Sequence, residues 1–209
     1  GDVGQNVLTG DVETYALGPV SNPAISGTAT FAKRQNGETL ITVELTGTTA
    51  GESHPSHIHA NAAAQGGGII IDLNNVDGAT GKSVTNVSQL NAGTQITYEE
   101  LLDFNGYLNV HLSSTSLATL IAQGDIGENE LTGISKVYTL NSVSDPAISG
   151  TVTFAERKSG FTLVTVSLQG TTAGGNHPSH IHANNAATTG PIVLDFTNIN
   201  GATGKSVTH

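Results

Sequence analysis

The sequence predicts an all-β fold: a Greek-key β-sandwich or barrel built in tandem repeats, with one or two short helices per repeat. Three observations predict it, namely apolar–polar alternation of period two, closely spaced turn signals and a long internal repeat. The repeat is the strongest of the three. His54-Pro55-Ser56-His57-Ile58-His59-Ala60-Asn61 recurs unchanged from His177 to Asn184, 123 residues on, and that offset holds without a gap from Gly1 against Gly124 to Asn86 against His209. GDVGQNVLTG matches GDIGENELTG, PAISGTATFA matches PAISGTVTFA, and GATGKSVT closes both copies, so that well over half of the aligned positions are identical. With A for residues 1–86 and B for 87–123, the chain reads A-B-A. The frame predicts residues 1–10 as the terminal strand of a preceding repeat, 11–133 as a complete repeat, and 134–209 as an incomplete second repeat that lacks the equivalent of 87–123. Residues 87–209 make an equally complete period, so the phase stays open.

The elements follow in order. Ile25-Ser26-Gly27-Thr28-Ala29-Thr30-Phe31 and Leu40-Ile41-Thr42-Val43-Glu44-Leu45 alternate as half-buried strands, joined by a turn at Gln35-Asn36-Gly37. Gly68 to Leu73, with Ile69, Ile70 and Ile71, is a continuous apolar run that predicts a strand buried on both faces. Val76-Asp77-Gly78-Ala79 and its twin Ile199-Asn200-Gly201-Ala202 carry the signals of a tight hairpin turn. Turn chemistry is preferred to a calcium loop on Asp72, Asn74 and Asp77, because the spacing is off by one, the twin has Thr197 and Asn200, and no closing Glu follows. Thr97-x-x-Glu100 is a capping box that opens a helix over Tyr98 to Phe104, and Asn105-Gly106 stops it. Tyr107 to Leu112 then predicts a strand with Leu108, Val110 and Leu112 on its core face. Ser114 to Ala122 adds one more helical turn before Gly124-Asp125-Ile126-Gly127 resumes extended structure.

Composition narrows the function. The net charge is −10 with only 7 Lys and Arg, which leaves no basic cluster for a nucleic-acid partner or a polybasic membrane anchor. No run reaches the length of a membrane span and no signal-peptide pattern is present. Small polar residues dominate, and Cys, Met and Trp are absent. That composition reads as an exported β-rich protein whose signal has been removed, extracellular or at the cell surface. It excludes disulfides and thiolate metal sites, and it removes the most oxidisable side chains.

Six of the 8 histidines lie in the two copies of one short string. Alternation places His57 and His59 on one strand face and Ile58, the core residue, on the other. His111 shares the polar face of its own strand with Asn109. Two imidazoles from one strand and a third from its neighbour make a three-nitrogen metal site with an open position, and the second copy offers His180 and His182. Neutral imidazole suits Cu(II) or Zn(II), with copper the tighter binder and zinc second. The competing reading is a polar patch of hydrogen-bonded surface histidines. No carboxylate lies close in sequence to His57, His59 or His111. His54 and His177, each beside a proline, are read as structural histidines that lock a loop by hydrogen bonding. His209 stands where the first copy has Asn86 and is assigned no role.

HPSHIHAN, followed by GGGIIIDL, YLNVHLSS and AQGDIG, resembles the chordin-type (CHRD) domain in the tandem form of exported bacterial proteins, over nearly the whole period. That family is similar in turn to copper–zinc superoxide dismutase, an eight-stranded Greek-key barrel. The resemblance implies that His57 and His59 are copper ligands, that His54 is structural, and that Val110-His111 supplies a third copper ligand. Two departures argue against an enzyme. No His lies between His59 and His111, so the dismutase's bridging ligand and zinc site are missing, and Gln123 stands where the family commonly carries an Arg before Gly-x-Ile. Without a cation at the site, a chain at −10 repels superoxide rather than steering it.

The sequence therefore predicts a non-enzymatic extracellular tandem-repeat structural or interaction protein. Its partners are adjacent repeats or copies of itself. The second A lacks the strands that B supplies, so strand donation from a neighbouring chain would build a head-to-tail homo-oligomer or fibre. A copper-binding or storage protein is the alternative, and a copper-dependent dismutase-like oxidoreductase ranks last.

Overall fold

The computed structural model describes residues 1–188 and 190–209. It divides into two compact units, Gly1–Glu130 and Leu131–His209. The all-β expectation holds for both. In the first unit a single 3-10 turn at Gly4–Asn6 precedes β1 (Leu8–Pro19), β2 (Ser26–Arg34), β3 (Thr39–Thr46), β4 (Ser53–Ala60), β5 (Ile69–Asp77), β6 (Lys82–Val87), the helix α1 (Tyr98–Leu102), β7 (Asn105–His111) and β8 (Leu120–Gly127). The eight strands close into a barrel in the order β1-β2-β3-β6-β5-β4-β7-β8.

Alternation builds the core. Tyr15 and Leu17 of β1, Ala29 and Phe31 of β2, Ile41 and Val43 of β3, Ile58 of β4, Leu108 and Val110 of β7, and Ile121 and Ile126 of β8 all point inward and are buried. Tyr15 meets Phe31 edge to face, with ring centroids 5.1 Å apart. The helix adds buried Tyr98 and Leu101 to this core. It starts as the capping box requires, with the Thr97 hydroxyl accepting from the Glu100 N–H at 3.3 Å and the Glu100 carboxylate accepting from the Thr97 N–H at 2.8 Å. Residues 1–10, read from the sequence as the tail of a preceding repeat, lie in the first unit against the end of β2. There Arg34 donates to Asp2 at 2.8 Å and to the Asn6 carbonyl, and the Gln35 N–H donates to the Val7 carbonyl.

Four local expectations are corrected. The Ile69–Ile71 run is not buried on both faces: from Ile71 on, β5 buries Ile71 and Leu73 and exposes Asp72 and Asn74, while Ile69 is 46% exposed beyond the register shift between Ile58 and His59. The helix ends at Leu102, and Asn105-Gly106 begins β7 rather than stopping the helix, since Asn105 and Gly106 pair with Gly127 and Ile126. Residues 112–119 form two turns instead of a helix, and Leu120 already belongs to β8. Leu112 lies beyond the end of β7 and is exposed. The register shifts between Val110 and His111, which ends the alternation one residue before Leu112.

The second unit carries β9 (Leu131–Leu140), β10 (Ser149–Arg157), β11 (Thr162–Gln169), β12 (Asn176–His182), β13 (Ile192–Asn200) and β14 (Lys205–Thr208) in one open sheet, β12-β13-β14-β11-β10-β9. This is the barrel order from β4 round to β1; among the described residues the second unit has no counterparts of β7 and β8. Its buried core is small: Val152, Val164, Val166 and Ile199.

Candidate metal centre

The site is built where β4 meets β7. Their antiparallel register sets His57 opposite Asn109, Ile58 opposite Leu108 and His59 opposite Tyr107. Ile58 faces the core and is fully buried, so His57 and His59 lie on the other face, together with Asn109 and His111 of β7. That outer face is itself covered: His59, Asn109 and His111 are all buried. The bulge after Val110 ends β7 at His111. One ligating nitrogen from each of His57, His59 and His111 lies within 4.8 Å of the other two, and the His57 and His111 ring centroids are 4.9 Å apart. Among the described residues this is the one cluster of three such side chains.

Each ring is oriented through its outer nitrogen. The Nδ1–H of His59 donates to the Gly67 carbonyl at 2.9 Å, and that of His111 donates to the Leu117 carbonyl at 2.6 Å. Both Nε2 atoms are thereby left as lone-pair donors. His57 is reversed. Its Nε2 faces the Asp72 carboxylate at 3.8 Å, while its Nδ1 is buried with no hydrogen-bond partner. His111 Nε2 is buried without a partner as well. His59 Nε2 has one long contact, the side-chain amide of Asn109 donating at 3.4 Å. Asn109 is held in turn by Gln123, whose amide donates to its side-chain oxygen at 2.8 Å. The Tyr107 ring stacks on His59, 4.8 Å between centroids at 17°.

Burial holds His57 below the ordinary imidazole range, with the neighbouring His111 adding to the shift and Asp72 opposing it. Burial likewise lowers His111, against the Leu117 carbonyl, which favours its protonated form. Both rings therefore favour the neutral state that a metal needs.

The donor set fits a transition metal. Two buried imidazole nitrogens lack partners, an arrangement that costs about 1–3 kcal/mol per unsatisfied polar atom and that a ligated ion would relieve. Metal–nitrogen bonds of about 2.0–2.1 Å place donors on one ion no more than about 4.2 Å apart, so nitrogens as far as 4.8 Å apart draw together by at least about 0.6 Å to close on it, and by more in tetrahedral geometry.

The other sequence-singled histidines separate into two groups. His54 is fully buried on β4; its Nδ1 hydrogen-bonds the Leu112 carbonyl at 2.8 Å and its Nε2 lies 3.5 Å from the Glu52 carboxylate. It ties β4 to the residue that follows β7, and it is not in the cluster. His180 and His182 sit on β12, an edge strand, with centroids 5.6 Å apart and no third imidazole to complete a cluster among the described residues. His177 lies on the same strand, and its Nε2 has no hydrogen-bond partner there.

Sequence reasoning missed four contributors. Asp72 reaches His57 although no carboxylate is near in sequence, because the β4–β5 register pairs the two residues. The Gly67 and Leu117 carbonyls come from loops, and Gln123, noted only as a lost arginine, orients Asn109. Comparison of this chain with protein-family models, with curated proteins and with solved structures gives no match.

Proposed function

We propose that this chain is a non-enzymatic, extracellular tandem-repeat structural protein of Greek-key units, and that its closed barrel holds one transition-metal ion on His57, His59 and His111. The carrying observation is that one ring nitrogen from each of the three lies within 4.8 Å of the others, while His57 Nδ1 and His111 Nε2 are buried without hydrogen-bond partners. Copper is preferred to zinc, since three imidazoles bind Cu(II) more tightly than Zn(II) when both have equal access. Bound there, the ion would cross-link β4 to β7. The resemblance to the CHRD and dismutase families supports the same three ligands.

The surroundings favour a structural ion over a catalytic one. Gln123 is engaged with Asn109 rather than offering a positive charge to an anion, and a chain at −10 disfavours superoxide entry. No helix among the described residues is long and apolar enough to cross a membrane.

Calorimetric titration with Cu(II) is expected to give one tight equivalent per chain, lost in the His57→Ala/His59→Ala variant. Unchanged affinity in that variant removes the metal reading. The copper-loaded protein is expected to dismutate superoxide no faster than free copper, and faster turnover would favour the dismutase-like alternative.

A further inference from the structure

His57 differs from the other two rings of the cluster in what turns it. A loop carbonyl accepts from His59 and another from His111, whereas the outer nitrogen of His57 meets a side chain, the Asp72 carboxylate, whose Oδ1 lies 3.8 Å from Nε2. At that separation the contact is electrostatic rather than a full hydrogen bond. It still decides where the neutral ring keeps its proton, because an N–H facing a carboxylate is favoured and a lone pair facing it is repelled. With the proton on Nε2, the lone pair of His57 falls on Nδ1, the buried nitrogen without a partner.

Asp72 is held in that position from outside. The β4–β5 register sets it opposite His57. Its Oδ2 accepts from the Asn91 side-chain amide at 3.0 Å, and its N–H donates to the Asn91 side-chain oxygen at 3.0 Å. Asn91 is tied to β5 a third time, its own N–H donating to the Ile70 carbonyl at 2.8 Å. The segment after β6 thus anchors a carboxylate at an exposed position, where an untethered Asp would gain little from an ion pair. The repeat adds an independent observation. Ile70, Ile71, Leu73 and Asn74 are replaced in the second copy by Val193, Leu194, Phe196 and Thr197, while Asp72 between them recurs as Asp195. Register again sets that Asp opposite the matching histidine, His180.

We propose that Asp72 and Asn91 are positioning residues of the metal centre: Asn91 fixes the Asp72 carboxylate, and Asp72 fixes His57 as an Nδ1 donor and biases the centre toward Cu(II) over Cu(I). The inference rests on the metal reading of the three histidines. An anion beside the outer N–H of a ligating imidazole makes the ring a stronger donor. Its attraction for the ion itself scales with the ion's charge, so the divalent state gains more than the monovalent one. That preference suits an ion that cross-links strands and keeps one oxidation state.

The test compares the full chain with Asp72→Asn, Asn91→Ala and the double variant. Cu(II) affinity is measured by calorimetry, and Cu(I) affinity by anaerobic competition with a chromophoric chelator. Asp72→Asn keeps the shape and removes the charge; Cu(II) affinity is expected to fall on the order of tenfold or more, with a smaller fall for Cu(I). Asn91→Ala is expected to lower Cu(II) affinity less, and to add nothing once Asp72 is already Asn, the non-additivity that a relay requires. In the Zn(II)-loaded chain, long-range proton–nitrogen correlation is expected to show His57 bound through Nδ1. Binding through Nε2 overturns the proposal, as does an equal fall for Cu(II) and Cu(I), which a merely loosened site would give. Cu(II) affinity that is unchanged in Asp72→Asn but lost in His57→Ala/His59→Ala overturns the positioning role and leaves the metal reading standing. No Cu(II) binding by the parent chain removes both.

Discussion

The His57 imidazole is pulled in opposite directions, toward neutrality by burial and by His111, and toward charge by Asp72, with burial the largest influence. His111 is shifted the same way. In the folded chain both rings therefore protonate below the ordinary imidazole value of 6.5, while in the unfolded chain they titrate near it. As pH falls the unfolded state takes up protons first, so this contribution to stability is full above that value. It declines below it and levels off once the folded rings are protonated too. The urea midpoint of the metal-free chain, followed from about pH 8 to about pH 5, is expected to fall more steeply than that of a His57→Gln/His111→Gln variant. Equal slopes would show that neither ring is perturbed.

Local segments decide whether those rings meet. The His-x-His pair could be read from the sequence because Ser56–Ala60 run in unbroken register against β7, and the alternation of β7 put Asn109 and His111 on a shared face. The orienting partners could not be read in the same way. Asp72 arrives through strand register, Leu117 through a turn expected to be helical, and Gly67 through the 61–68 loop, none of which leaves a periodic trace. The boundaries that failed did so for similar reasons: the bulge after Val110 removed Leu112 from the core, and pairing with β8 drew Asn105-Gly106 into a strand. Gly67 shows how tightly the 61–68 loop is fixed. A Cβ there would lie 1.9 Å from the Ala60 carbonyl oxygen, and the Gly67 N–H donates to the Tyr107 hydroxyl at 3.0 Å. Gly67→Ala is expected to destabilise the first unit by about 2 kcal/mol or more and to weaken Cu(II) binding with it, read by urea denaturation and calorimetry. A substitution that leaves both unchanged would mean the loop can shift freely without moving His59.

At the scale of the whole chain, one sequence pattern has two fates. The closed barrel gathers core residues from eight strands and a helix, whereas the open sheet buries little beyond Val152, Val164, Val166 and Ile199. Covering a large apolar side chain is worth roughly 1.5–3 kcal/mol, so leaving Tyr138 and Leu194 half bare removes about 1.5–3 kcal/mol in all from a margin that is typically only about 5–15. Denaturant unfolding is expected to show two transitions, with exchange at residues 164–168 opening before exchange at 41–45. A single coincident transition would show that the units unfold together. The alternation and the turn signals made the all-β class legible from the start; how much of each sheet face is buried is a property of packing, which no count of residues supplies.

The uneven burial of the aromatic residues also gives the molecule an optical signature. There is no tryptophan, and of the 4 tyrosines, Tyr15, Tyr98 and Tyr107 are buried in the barrel while Tyr138 faces solvent from the sheet. Ultraviolet emission thus separates into a shielded fraction and an iodide-quenchable fraction that belongs to one side chain, so the protein reports without any label when that surface becomes covered.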